Sequence, residues 1–180
     1  LIELAEASTV PVSVHLDHAE STDLCREAIE LGFTSIMYDG SKLPDAQNRE
    51  TTAEITAFAH EHGVSVEAEL GEVGGKNGVH DPSARTNPED AAQFVADTGV
   101  DLLAVAVGSS HAMATREAVL DNQLIAAIHE LVPVPLVLHG SSGVPDEGMV
   151  AAIQAGMTKI NVSTHLNVVF TQGVRQILDE

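Results

Sequence analysis

Apolar residues gather in six short runs, at about 11–17, 35–39, 64–70, 101–107, 134–139 and 159–163, and the stretches between them carry apolar residues at helical spacing. A strand followed by a helix, repeated along the chain, predicts a parallel sheet covered by helices. The punctuation agrees. Asn87 stands as an N-cap with Pro88 at the first helical position and Asp90 in the first turn, and Gly99 ends that segment. Gly32, Gly63 and Gly156 close three further helices in the same way. Residues 45–62 carry Ala53, Ile55, Phe58 and Ala59 on one face, which is expected to meet the sheet. The stretch 71–86, rich in Gly and polar residues, predicts a long loop, and a loop of that length in a compact domain is a functional lid or a mobile one.

Strands buried on both faces leave two architectures, a closed (β/α) barrel or an open doubly wound sheet. Polar positions decide between them. By the period of two, Ser13, His15 and Asp17 share one face of the first run and Val12, Val14 and Leu16 the other; in the third run Ser65, Glu67 and Glu69 oppose Val66, Ala68 and Leu70. An open sheet buries such carboxylates under helices. A barrel gives them a wet mouth at the C-terminal strand ends, where catalytic groups of that fold lie. The expected fold is a closed α/β barrel of the TIM (β/α) type, with residues 1–180 forming one domain around one hydrophobic core.

Charge then narrows the partners. With 27 Asp+Glu against 8 Lys+Arg, a formal charge of -19 repels nucleic acid and anionic membrane surfaces, so neither is an expected partner. An anionic substrate would have to be held by a metal and by aimed backbone N–H groups rather than by the overall field. The lone Cys25 forms no internal disulfide and suits a reducing setting. No apolar run reaches the roughly 18 residues of a membrane span, and no signal peptide is evident, so a soluble, cytoplasmic protein is expected.

Three histidines each follow a short apolar run: His18, His111 and His139. Three neutral imidazoles delivered from three strand ends can hold one zinc ion and leave its fourth position open. One histidine at a strand end would signify little; three make a metal-dependent enzyme the leading reading. His15, inward beside Asp17, reads as an orienter of a ligand, while His60, His62 and His129 fall on helices and His80 and His165 take no role.

HLDH at 15–18, YDGSKLP at 38–44, EAELGEVGG at 67–75, VAVGSSH at 105–111, HGSSGVP at 139–145 and KINVST at 159–164 resemble, in order, the motifs of the zinc-dependent class II ketose-bisphosphate aldolases, which include the fructose-bisphosphate and tagatose-bisphosphate enzymes. The resemblance spans about residues 11–175. It implies a TIM (β/α)8 barrel of which this chain covers about strands three to eight, the first two βα units and a C-terminal helical region being outside this chain, which starts at Leu1 and is expected to be a fragment of a longer one. It further implies zinc on His18, His111 and His139, a second or displaced cation near Asp39 and Glu69, and Asp17 as the acid/base that takes the C4 hydroxyl proton during retro-aldol cleavage. Zinc would polarise the C2 carbonyl as a Lewis acid. Glu67, equally inward, reads as a buried partner to a cation or a satisfied core carboxylate. A monovalent cation beside Zn2+ stays open.

Ala112, Gly140, Ser141, Ser142, Asn161, Val162, Ser163 and Thr164 match the positions that bind the phosphate and dihydroxyacetone part of the substrate, on turns after strands seven and eight where this fold cradles phosphate. Two positions depart from the family. Ala112 stands where Gly is usual, and Lys76 and Asn77 stand where the mobile loop commonly carries a Glu; Glu72, His80, Asp81 or Asp17 is left to take its place. The lysines, Lys42, Lys76 and Lys159, offer a poor Schiff-base nucleophile, since Lys159 is expected at the start of its strand. The implied activity is reversible cleavage of a fructose or tagatose 1,6-bisphosphate, or of a related deoxy-sugar acid phosphate, to dihydroxyacetone phosphate and an aldehyde, in a homodimer. The rival readings are an inactive barrel fragment that binds metal and a metal-dependent hydrolase on the same three histidines.

Overall fold

The computed structural model describes residues 1–70, 85–111, 113 and 115–179. After a short helix α1 (Ile2–Glu6), strands and helices alternate: β1 (His15–Ala19), α2 (Thr22–Glu30), β2 (Ser35–Tyr38), α3 (Asp45–Glu61), β3 (Ser65–Glu69), α4 (Pro88–Thr98), β4 (Leu102–Ala104), α5 (Asn122–Leu131), β5 (Leu136–Leu138), a 3-10 turn (Ser141–Gly143), α6 (Asp146–Ala155), β6 (Met157–Ile160) and α7 (Thr164–Leu178). The six strands form one parallel sheet in the order β1-β2-β3-β4-β5-β6. Every crossover therefore runs in one direction, and right-handed crossovers that never reverse put all the helices on one face. A doubly wound sheet would reverse.

The other face is concave. Strands lie about 4.8 Å apart, so β1 and β5 in a flat sheet would be separated by roughly 19 Å. Yet His18 Nε2 of β1 lies 2.8 Å from Nδ1 of His139, which follows β5 directly. Asn161, after β6, likewise reaches Asp17 in β1. The sheet curls into half of a barrel, with β1 and β6 at its edges.

Alternation sorts the side chains as the polar pattern predicts. Ile36, Tyr38, Val66, Ala68, Leu103, Val105, Leu136 and Leu138 point outward into the main core beneath the helices, joined there by Ile55, Phe94, Ile125 and Ile128. Met37, Ala104 and Val137, with Leu102 against them, form a small inner cluster. Glu67, Glu69 and His139 share that inner side by parity and are fully buried. Cys25 is a buried core thiol, its pKa pushed up to about 11 by burial. On α3, Ile55 and Ala59 are buried as expected, but so are Asn48, Thr52 and Thr56, which the apolar spacing did not single out. Asn48 is accommodated there by donating to the Glu69 carbonyl while accepting from Thr52. The helix α7 buries none of its residues and exposes Leu166, Val169, Phe170, Ile177 and Leu178. Among the described residues no helix is long and apolar enough to cross a membrane.

Strand limits differ from the apolar runs chiefly at the ends. β1 begins four residues after its run starts, Val14 giving its N–H to the Thr34 hydroxyl rather than to a backbone carbonyl, and β6 begins at Met157 rather than 159. Lys159 is therefore the third of four strand residues, not the first.

Candidate active site

Consecutive strand residues point to opposite faces, so Asp17 inward would send His18 outward. The chain breaks this rule locally. His18 has φ 52°, the one described non-glycine residue with a left-handed backbone, and the β1–β2 register shifts between Leu16 and Ala19. A bulge of this kind re-aims a side chain, and here it turns Asp17 and His18 into one cleft at a local cost in backbone strain. His111 arrives from the segment after β4, and His139 from the end of β5. The three rings lie 4.6–5.6 Å apart between centroids, all near-perpendicular. Their facing nitrogens lie within 4.8 Å of one another.

Each of two rings is held from behind by a buried carboxylate. His18 Nδ1 donates to Asp39 Oδ2 at 2.7 Å, and His139 Nε2 donates to Glu67 Oε1 at 2.8 Å. A carboxylate accepts only, so the proton of each neutral ring must sit on the nitrogen that faces it. Both remaining nitrogens, His18 Nε2 and His139 Nδ1, then present lone pairs to each other at 2.8 Å. Two lone pairs at that distance repel unless a cation is shared between the rings. The donor set is thus that of a metal site: three imidazoles, with carboxylates fixing the tautomers of two. Zn2+ fits it. His18 also groups with Asp39 and Glu69 in a second possible ligand cluster.

Glu67 is the hub behind this cluster. Its Oε2 accepts from Lys159 Nζ at 2.7 Å, and His15 Nε2 lies 3.8 Å away. Burial pushes the Glu67 carboxyl up, but the donors from His139 and Lys159 outweigh it and hold the group below the ordinary glutamate value. Burial likewise holds His15 below the usual imidazole value, against an upward pull from Glu67. His15 does not orient a ligand as expected; its Nδ1 pairs with Ser35 Oγ at 2.8 Å, and Asp39 and Glu67 take the orienting positions. Lys159, expected outside the site, reaches into it because its parity matches that of Asn161 two residues on. An inward carboxylate at 67 was a signal that an inward cation was needed.

In front of the histidines lies a cleft of ≈ 210 Å³ lined by Asp17, His18, His111, His139, Gly140, Ser142, Asn161, Ser163 and Thr164. Five of the eight expected substrate-binding residues are among them. Ser141 and Val162 instead line an adjoining hollow with Arg116 and His165; Ser141 is buried, its hydroxyl donating to the Asn161 carbonyl, because the 3-10 turn points it behind the cleft. Ala112, Glu72, Lys76, Asn77, His80 and Asp81 lie outside the described residues. Asp17 is half exposed, and Asn161 Nδ2 donates to it at 3.4 Å. His60 pairs with Asp101 and His62 with the Phe58 carbonyl, both at the surface.

The family described as "Fructose-bisphosphate aldolase class-II" matches residues 1–180. A 6-phospho-5-dehydro-2-deoxy-D-gluconate aldolase of Shouchella clausii (strain KSM-K16) is 43% identical over 173 residues, 96% of this chain and 59% of that protein. A fructose-bisphosphate aldolase of Geobacillus stearothermophilus is 43% identical over 172 residues, 94% of this chain and 60% of that protein. Among solved structures, the YdjI aldolase from Escherichia coli K12 superposes with a TM-score of 0.89 at 37% identity, covering 99% of this chain and 64% of that one. A fructose-1,6-biphosphate aldolase structure from Coccidioides immitis, described as putative, gives 0.86 at 35%, covering 97% and 64%. This chain therefore spans about 60% of the length of the curated relatives it matches. The order of its strands, its three-histidine cleft and these matches agree: the chain belongs to the class-II fructose-bisphosphate aldolase family.

Proposed function

We propose that this chain carries the metal and dihydroxyacetone-phosphate half of a zinc-dependent aldolase, one that reversibly splits a phosphorylated ketose or keto-acid sugar into dihydroxyacetone phosphate and an aldehyde. The observation that carries the reading is the meeting in one cleft of His18, His111 and His139, the half-exposed Asp17 carboxylate and the two turns at 140–142 and 163–164. Zn2+ held by the three histidines would supply a Lewis acid for the substrate's ketone carbonyl. Asp17, within the cleft and beside a ligand, takes the proton from the hydroxyl on the carbon beta to that carbonyl (C4 in a 2-ketose) as the bond between the alpha and beta carbons breaks, and returns it in the reverse direction. Gly140, Ser142, Ser163 and Thr164 hold the phosphate, aided by the N-terminus of the fifteen-residue helix α7 at Thr164. Lys159 is an ammonium committed to Glu67 and is no Schiff-base nucleophile.

In this reading the six strands are the third to eighth of an eight-stranded barrel, residues 1–180 form one partial domain, and the whole protein works as a cytoplasmic homodimer. The equal identity to relatives named for two different sugar phosphates supports dihydroxyacetone phosphate as the shared product and leaves the aldehyde as the variable half. The test is triose phosphate release from fructose 1,6-bisphosphate, tagatose 1,6-bisphosphate and 6-phospho-5-dehydro-2-deoxy-D-gluconate, each with and without a chelator. Release that a chelator stops, Zn2+ restores and His139→Ala loses by at least about a thousandfold is the expected result. Release indifferent to the chelator overturns the metal reading, and no release from any of the three overturns the substrate reading.

A further inference from the structure

We infer that Lys159 is a positioning residue that sets both arms of the site, the metal arm through Glu67 and His139 and the substrate arm through Asn161 and Asp17. The inference rests on the aldolase reading for its second arm only. Lys159 Nζ donates to Glu67 Oε2 at 2.7 Å and to Asn161 Oδ1 at 2.8 Å, so one ammonium bridges β3 and the end of β6 across the concave face.

The metal arm follows from burial. Glu67 is fully buried, and a buried carboxylate with a single neutral donor is costly; Lys159 supplies the opposite charge that keeps it in place. Held there, Glu67 Oε1 accepts from His139 Nε2 and so keeps His139 Nδ1 bare for a metal.

The substrate arm follows from polarity. An ammonium only donates, so the Asn161 amide must turn its oxygen toward Lys159. Its NH2 group then faces Asp17 Oδ1, which only accepts. The flipped amide would set NH2 against the ammonium and oxygen against the carboxylate, two repulsions that the approach of its oxygen to the neutral His139 Nε2–H, 3.3 Å away, does not offset. Lys159 thus aims the Asn161 donors into the cleft, toward the side where substrate oxygens and Asp17 meet. Neither arm requires Lys159 to touch substrate or metal.

Lys159→Met keeps most of the side-chain length and removes both the charge and the donors. Co2+ serves as the probe, since its visible absorption reports coordination as well as occupancy. For Lys159→Met the apparent Co2+ dissociation constant is expected to rise about 10–100-fold with a changed absorption spectrum. Dihydroxyacetone phosphate is expected to bind the Co2+-saturated variant about tenfold more weakly than the unaltered protein. A variant that melts earlier but keeps both constants within about twofold, with the same spectrum, assigns Lys159 a merely structural role and overturns the inference. Loss of one constant alone overturns the two-armed form. If circular dichroism finds Lys159→Met unfolded, Lys159→Gln, which keeps a donor without the charge, is titrated in its place against the same criteria. Co2+ uptake by the unaltered protein without dihydroxyacetone phosphate binding overturns the substrate reading while the Co2+ comparison still decides the metal arm. No Co2+ uptake by the unaltered protein overturns both.

Discussion

Gly140 joins two loops of the site. It has φ 67°, and a Cβ built there would lie 2.6 Å from the carbonyl carbon and oxygen of Ser110, the residue before His111. A side chain therefore meets two obstacles at once, a backbone conformation L residues avoid and a neighbouring backbone that cannot give way. Gly140→Ala is expected to cost about 2–4 kcal/mol in chemical denaturation and to separate His111 from His139, so that metal affinity falls with stability. Unchanged metal affinity would show that the two loops move independently. At this scale the sequence is legible where residue type alone announces the chemistry, and three histidines after three apolar runs do meet. It is opaque where the backbone departs from regularity, as at His18, whose parity alone points it away from the cleft and whose bulge leaves no compositional mark. The orienting contacts are hidden for another reason. They depend on which of several inward carboxylates lies within reach, which is set by strand spacing and register.

The helices are the most readable elements because their ends are marked chemically. Asn87 accepts from the Asp90 N–H at 3.0 Å with Pro88 inside the helix and Gly99 left-handed at its end, all as the residue types predict. Asp121 and Ser21 cap α5 and α2 in the same way. Asn87→Ala is expected to lower unfolding free energy by about 1 kcal/mol without changing Co2+ affinity, the opposite signature to Gly140→Ala. Denaturant midpoints and metal titration on the same samples separate the two. α3 is less legible, because Asn48, Thr52 and Thr56 are polar by type yet buried by position. Asn48 fills that position by bonding the Glu69 carbonyl, a contact no helical periodicity encodes.

Across the whole molecule, a net charge of -19 is spread over 180 residues, and part of the acidic complement, Glu67, Glu69 and Asp39, lies inside. The remainder crowds the exterior with like charge, which opposes compactness. Thermal unfolding is expected to shift upward by several degrees as salt rises from about 0.01 M to about 0.5 M, because the screening length shrinks from roughly 30 Å to below 10 Å. A midpoint indifferent to salt would mean that the exterior charges are already balanced locally, as Arg26 with Glu54 and Arg49 with Asp45 and Asp97 are. The parallel half-barrel is legible from repeated strand-and-helix spacing and inward polar parity, since both are local properties summed along the chain.

Among the described residues strand pairing joins only consecutive strands, whereas His18 and His139 stand 121 positions apart. Assembly can thus advance one strand at a time, but the three-histidine cluster comes into being only when β5 arrives and Lys159 only when β6 does. A chain stalled at four strands has a sheet and lacks the three-histidine centre. An ion that requires all three histidines adds its free energy to the complete sheet and nothing to its precursors, so such an ion acts as a latch on the final stage of folding.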